Sequence, residues 1–204
     1  MVAFMRSPTC LFVYIGLLSV FIQQSCLPSS SEKKAQAPDI WTGDQVKIIG
    51  IIKGDELEVT KAGKKARLRL LGVQAFAGTN LDAPLTEIVH RTSEWLTQRL
   101  LNQEAKIVLE DATKDTYGRY LGYLEKDGTD MNRALIEEGL VIAYTEFPFA
   151  READYLAAEK KARDDKRLLW NQQGLTTIAQ GLRRQWADAR RGRNQAPAAD
   201  PLLP

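Results

Sequence analysis

The feature that most constrains this chain is the run from Gln45 to Val73, "QVKIIGIIKGDELEVTKAGKKARLRLLGV". Apolar and polar residues alternate along it, as in strands with one buried face, and turn residues interrupt it twice. The first two strands turn around Gly54 and Asp55, and the "KAGK" that follows gives a second turn and a third strand. Whatever else the chain does, its folded part begins with a three-stranded β unit.

The remainder fixes how that unit is completed. Between Ala83 and Asn102, Leu85, Ile88, Val89, Trp95, Leu96 and Leu100 repeat with helical spacing. "AKIVLED" and "RYLGYLEKDG" read as two further strands joined by "TKDTYG". Asp130 caps a short helix through Ile136, and Gly139 ends it in a left-handed cap. "LVIAYTEF" is extended, and Arg151 to Leu169 form a charged amphipathic helix closed by Trp170. Three strands, a helix, two strands and a helix predict an α+β fold: a small closed five-stranded OB-like barrel with packed helices. A ferredoxin-like sandwich would need a helix after the first strand, where none is visible.

Outside the barrel, residues 1–26 read as an export signal. A cation at Arg6 precedes "CLFVYIGLLSVFI", an apolar block too short for a comfortable membrane span. Ser25 before Cys26 fits lipidation of Cys26, although Gln23 stands where Leu is usual; a secreted form and an uncleaved anchor are the rivals. Residues 27–39 are a polar tether, 40–174 the barrel domain, 175–193 a basic amphipathic helix and 194–204 a disordered tail. Both cysteines, Cys10 and Cys26, lie in the leader, so the folded part can build no disulfide, zinc cluster or thiol nucleophile. A net charge of +2 is too small to mark a nucleic-acid binder, so any electrostatic argument rests on local placement.

"IIKGDELEV", "LRLLGVQAF" and "DTYGRYLGY", followed by "MNRALIEEGL" and Trp170, resemble the staphylococcal-nuclease (thermonuclease) family over about residues 40–170. The resemblance implies an OB-fold phosphodiesterase that cuts DNA or RNA with calcium. In such enzymes two Asp and a backbone carbonyl hold the ion, a Glu prepares the attacking water, and two Arg grip the phosphate. The chemistry needs these types. A phosphodiester is already negative, so cations must neutralise it and a base must activate water. Calcium takes oxygen ligands, and Arg offers a planar fork to phosphate.

Carried onto this chain, the resemblance places the first metal-binding Asp at Asp55 and the catalytic arginines at Arg69 and Arg119. The second Asp position holds Gln74 and the Glu position holds Ala77. Lys53, on the same strand face as Asp55, adds a cation where an acid is often found. With one carboxylate left, calcium affinity is expected at the weak end, on the order of millimolar. Loss of the base costs about 10²–10⁴-fold in rate. Glu56 and Glu58 alternate away from Asp55, Asp82 lies in a loop that could fold back, and His90 sits off the apolar stripe of its helix.

Tyr117 and Tyr144 fall where the resemblance implies contact with the nucleotide, Lys53 joins Arg69 and Arg119 in an anion pocket, and Glu146 beside the tyrosines would repel a phosphate chain. Trp41, Trp95, Trp170 and Trp186 are most simply packing residues. The arginines at 183, 184, 190, 191 and 193 form a solvated face or a polyanion contact. The expected function is an exported, catalytically impaired nuclease homologue that binds single-stranded DNA or RNA, or another polyanion, through Arg69 and Arg119. The alternatives are an active divalent-metal-dependent endonuclease with a substitute acid, and a structural envelope lipoprotein held at the membrane by its N-terminus.

Overall fold

The computed structural model describes residues 39–77 and 82–195. The export signal, Cys26, most of the tether and the C-terminal tail lie outside the described residues. Strands β1 (Gln45–Lys53), β2 (Glu56–Lys61) and β3 (Lys64–Leu70) form an antiparallel meander, and β5 (Glu104–Lys114) and β6 (Tyr120–Lys126) pair beside β1. Parallel pairing of β3 with β6, Leu68 opposite Tyr120 and Arg69 opposite Leu121, closes the five strands into a mixed barrel. The α+β barrel expected from the element order is the fold observed.

Alternation explains the closure. On β3, Ala66, Leu68 and Leu70 face the interior while Lys65, Arg67 and Arg69 face outward. Ile48, Leu57, Leu68, Ile107 and Leu124 are fully buried and form the barrel core, each contributing about 1.5–3 kcal/mol. Helix α1 (Ala83–Leu100) lays Ile88, Leu96 and Leu100 into that core and is capped by Asp82, whose carboxylate accepts from the Leu85 N–H at 3.0 Å. Asp82 therefore serves the helix. His90 is exposed on the same helix.

The short strands β4 (Val73–Gln74) and β8 (Ile142–Ala143) pair at one end of the barrel, with β7 (Thr129–Asp130) leading into α2 (Met131–Glu137). Buried Asn132 ties α2 to the barrel, donating to the carbonyls of Leu71 at 3.0 Å and Gly122 at 3.2 Å. Gly139, at φ +69°, ends this helical turn; a Cβ there would stand 2.5 Å from the Arg167 carbonyl oxygen.

Two sequence expectations shift. Helix α3 (Glu152–Asp164) stops short of Leu169, because Lys166 takes φ +53° and the Arg167 N–H returns to the Ala162 carbonyl. A 3₁₀ turn, Leu168–Asn171, follows and buries Trp170. Trp41 is not a packing residue: it is 68% exposed. The basic segment forms α4 (Gln173–Gln195), and no helix among the described residues is long and apolar enough to cross a membrane.

Candidate nucleic-acid site

A cavity of about 650 Å³ opens where the β1–β2 turn, the end of β3, the β5–β6 loop and the segment after β8 meet. Lys53, Asp55, Arg69, Gln74, Ala77 and Arg119 line it, and Tyr117, Tyr144 and Phe147 stand at its walls. The structure thus brings every site residue expected in the folded part to one cavity. Gly54 makes the tight turn possible: a Cβ on it would lie 2.6 Å from Thr92 Cγ2 and 2.7 Å from Ala75 Cβ.

The turn also corrects the expected strand geometry. Lys53 lies opposite Glu56 and is exposed, whereas Asp55 turns inward and is only 5% exposed. The Asp55 carboxylate accepts from the Ala75 N–H at 2.9 Å and lies 3.1 Å from Arg69 Nη1. Arg69 also donates through Nη1 to the carbonyls of Asp55 and Leu70, and through Nη2 to Gln74 Oε1, each at 3.2 Å. The Gln74 amide completes a ring by donating through Nε2 to the Ala75 carbonyl at 2.9 Å. Chemistry fixes this amide's orientation, since the reverse would set an NH₂ against a guanidinium and an oxygen against a carbonyl.

This ring decides the metal question. The family's calcium needs charged oxygens, and here Asp55 already serves a backbone N–H and a guanidinium. The carbonyl of Ala75 is engaged by Gln74, and Ala77 offers no acid. Among the described residues no group of three or more His, Cys, Asp or Glu could hold a metal ion. The residues present do not fit the ion.

Arg119 is held differently. Its Nη2 lies 2.7 Å from Asp115 Oδ2, and its Nη1 donates to Glu56 Oε2 at 2.9 Å. Asp115 also organises the loop, accepting through Oδ1 from the N–H groups of Tyr117 at 2.9 Å and Arg119 at 3.0 Å. Glu56 is 1% exposed, and its other oxygen pairs with Arg67. Glu56 stands opposite Arg69 on the outward face of β2, and the barrel curves Arg119 onto that same face. Glu56 is the site residue that sequence reasoning missed; its cross-strand partner, Arg69, was the available signal. Glu58 stays on the outer surface beside Lys65.

Electrostatics separates the two arginines. Burial pulls the Arg69 guanidinium below its ordinary value; Asp55 opposes this, and Arg119 nearby adds to it. Burial works against Arg119 too, but its bonds to Asp115 and Glu56 prevail and hold it above the ordinary value. Tyr144 is pushed up to about 12, first by burial and then by its bond to Glu146, whose carboxylate accepts from the hydroxyl at 2.9 Å. Tyr117 is 80% exposed, with the Arg119 guanidinium 5.3 Å from its ring centroid.

The basic face of α4 is largely spent internally. Arg183 pairs with buried Glu159 at 2.5 Å, Arg190 with Glu152 at 2.8 Å and Arg193 with Glu146 at 3.1 Å, while Arg191 pairs with Asp188. Trp186 packs edge-on against Tyr144, ring centroids 4.9 Å apart. The helix therefore props the Tyr144–Phe147 wall of the cavity and leaves Arg184 exposed.

A closed barrel with two arginines, a turn aspartate and a tyrosine wall around one cavity defines the class of OB-fold nuclease domains. Within that class the chain belongs to the staphylococcal nuclease homologue family, whose model matches residues 67–172. It is 29% identical over 126 residues to a thermonuclease of Staphylococcus hyicus, covering 61% of this chain and 75% of that protein. It is 28% identical over 159 residues to endonuclease YncB of Bacillus subtilis, covering 73% and 74%. An uncharacterized endonuclease of Escherichia coli O157:H7 is 27% identical over 128 residues, covering 61% and 76%. Helix α4 lies beyond the residues the family model matches.

Proposed function

We propose that this chain is a catalytically impaired nuclease-fold module that binds single-stranded nucleic acid, or a polyanion like it, at the cavity around Arg69 and Arg119. The leader ending at Cys26 places the module at the cell envelope in the same proposal. The observation that carries the loss of chemistry is the Gln74 amide bonded to the Ala75 carbonyl, which closes the place where a cation would be held. Binding is supported by what the ring leaves over. Arg69 is buried at a cost that Asp55 does not fully offset, and its hydrogen bonds to oxygen are long, so a phosphate oxygen can replace one of them. Lys53 is exposed at the cavity mouth with no ion pair among the described residues, and Tyr117 offers an open ring face for a base.

The test uses the full chain, free of contaminating nuclease, on labelled single-stranded DNA and RNA with calcium, magnesium, manganese or chelator. Salt-sensitive, metal-independent binding without cleavage is expected, lost in Arg69→Ala/Arg119→Ala. Metal-dependent cleavage lost in that double variant would overturn impairment and return the domain to the endonucleases it is related to.

A further inference from the structure

Strand β3 leaves the cavity carrying cations on alternate positions: Arg69, then Arg67, then Lys65. All three face outward, and their side chains emerge progressively, from 14% exposed at Arg69 to 54% at Arg67 and 68% at Lys65. Alternate residues on a strand stand about 6.6 Å apart, so the three positions span about 13 Å of backbone. We infer that this outward face of the barrel is a second binding segment, along which the continuing backbone of a single-stranded nucleic acid runs once one of its phosphates occupies the cavity.

The register supports a track rather than isolated charges. Across β1–β2–β3, Lys53, Glu56 and Arg69 form one cross-strand row; Gly50, Glu58 and Arg67 the next; Lys47, Thr60 and Lys65 the third. Five cations thus share a face with two acids. Gly50 has no side chain to rise above the face in the middle row. One of the acids, Glu56, is buried beneath its neighbours, where it joins Arg67 to Arg119 and so ties the track to the cavity. The other, Glu58, meets Lys65 at 3.4 Å in an exposed pair of the kind that contributes little and yields readily to a phosphate. This inference rests on the cavity being the primary site, and its test separates the two.

The full chain is titrated in chelator with labelled oligothymidylates of two and ten nucleotides over a range of salt. The dinucleotide reports the cavity and the decamer the track. Lys65→Ala/Arg67→Ala is expected to weaken decamer binding about tenfold and to flatten its salt dependence by about 1.4 in log–log slope, for two lost phosphate contacts. Dinucleotide affinity falls far less, because Arg67 reaches the cavity only through Glu56. Lys65→Glu, which leaves Glu56 and its partners untouched, gives the same length-selective loss. Decamer binding unaltered in both variants, with dinucleotide binding still lost in Arg69→Ala/Arg119→Ala, overturns the track and leaves the cavity. Decamer binding that needs Lys65 and Arg67 but is indifferent to Arg69 and Arg119 overturns the cavity, and with it the continuous path. A wild-type chain that binds neither oligonucleotide overturns both.

Discussion

The side-chain amide of Gln74 donates to the carbonyl of its neighbour Ala75 at 2.9 Å while accepting from Arg69 at 3.2 Å. One neutral residue thereby satisfies a guanidinium and a carbonyl that a carboxylate could not satisfy together. A carboxylate at the same place would attract Arg69 but repel the carbonyl, unless a cation stood between them. The polar groups of the ring thus satisfy one another within the chain.

Gln74→Asp should open the ring and set a second carboxylate beside Asp55. Combined with Ala77→Glu, it is expected to confer measurable calcium binding and to raise phosphodiesterase rate by about 10²–10⁴-fold over background. Calcium calorimetry and single-strand cleavage, run on the same preparation, check both halves. Calcium bound without cleavage would show that the carbonyl and acids are placed but the water is not.

Asp55→Ala should destabilise the fold by about 3 kcal/mol, because it strands the buried Arg69 charge and the Ala75 N–H. Asp55→Asn keeps an acceptor and should cost less. Urea unfolding of the two variants measures the difference; equal costs would mean that the charge itself contributes nothing.

The β5–β6 loop carries a pH dependence. Burial tends to raise the Asp115 carboxyl, but hydrogen bonds from Arg119 and from the loop backbone prevail and hold it below its ordinary value of 3.8. A depressed acid contributes stability that is fully present above its unfolded value and is lost as pH falls through the folded one. Stability should therefore hold down to about pH 4 and fall below it. Asp115→Asn, whose side chain does not titrate, should flatten that part of the curve. Thermal melts between pH 2 and pH 6 read this directly.

Trp186→Ala removes the ring that props Tyr144 and should cost about 3–5 kcal/mol. Glu146→Gln is milder: it should bring the Tyr144 hydroxyl down from about 12, leaving the part of the shift due to burial. Ultraviolet titration of the phenolate follows that change. Dinucleotide affinity should fall in Trp186→Ala, since the wall it supports lines the cavity.

Gly54→Ala tests the turn that aims Asp55. Its methyl group would meet Thr92 and Ala75 closer than 3 Å, and overpacking of this kind costs about 1–3 kcal/mol. Chemical denaturation gives the cost. Binding to single strands should weaken in parallel, because Arg69 is held through Asp55.

Much of the fold was legible because it is written in local periods. Alternation in residues 45–73 and the helical repeat of Leu85 to Leu100 each follow from one segment at a time, and Gly139 marks a helix end without reference to anything distant. Local signals were silent on α3, where the chain takes a left-handed turn at Lys166 with no glycine to announce it. They failed on Trp41, whose apolar ring suggests packing although the barrel has closed beneath it.

The sequence by itself determined which charges the site could contain: two arginines, a lysine, one turn aspartate, and an amide and a methyl where the family resemblance calls for a metal-binding Asp and a water-activating Glu. Side-chain chemistry is a property of each position and needs no fold to be read. Only the tertiary structure decided how those charges are spent. Glu56 reaches Arg119 across 63 positions, and Arg193 reaches Glu146 across 47. Alternation tells which way a strand residue points, but not what barrel closure brings to meet it. Closure set β3 against β6, and that contact turned a surface glutamate into the buried bridge between the cavity and the cationic strand.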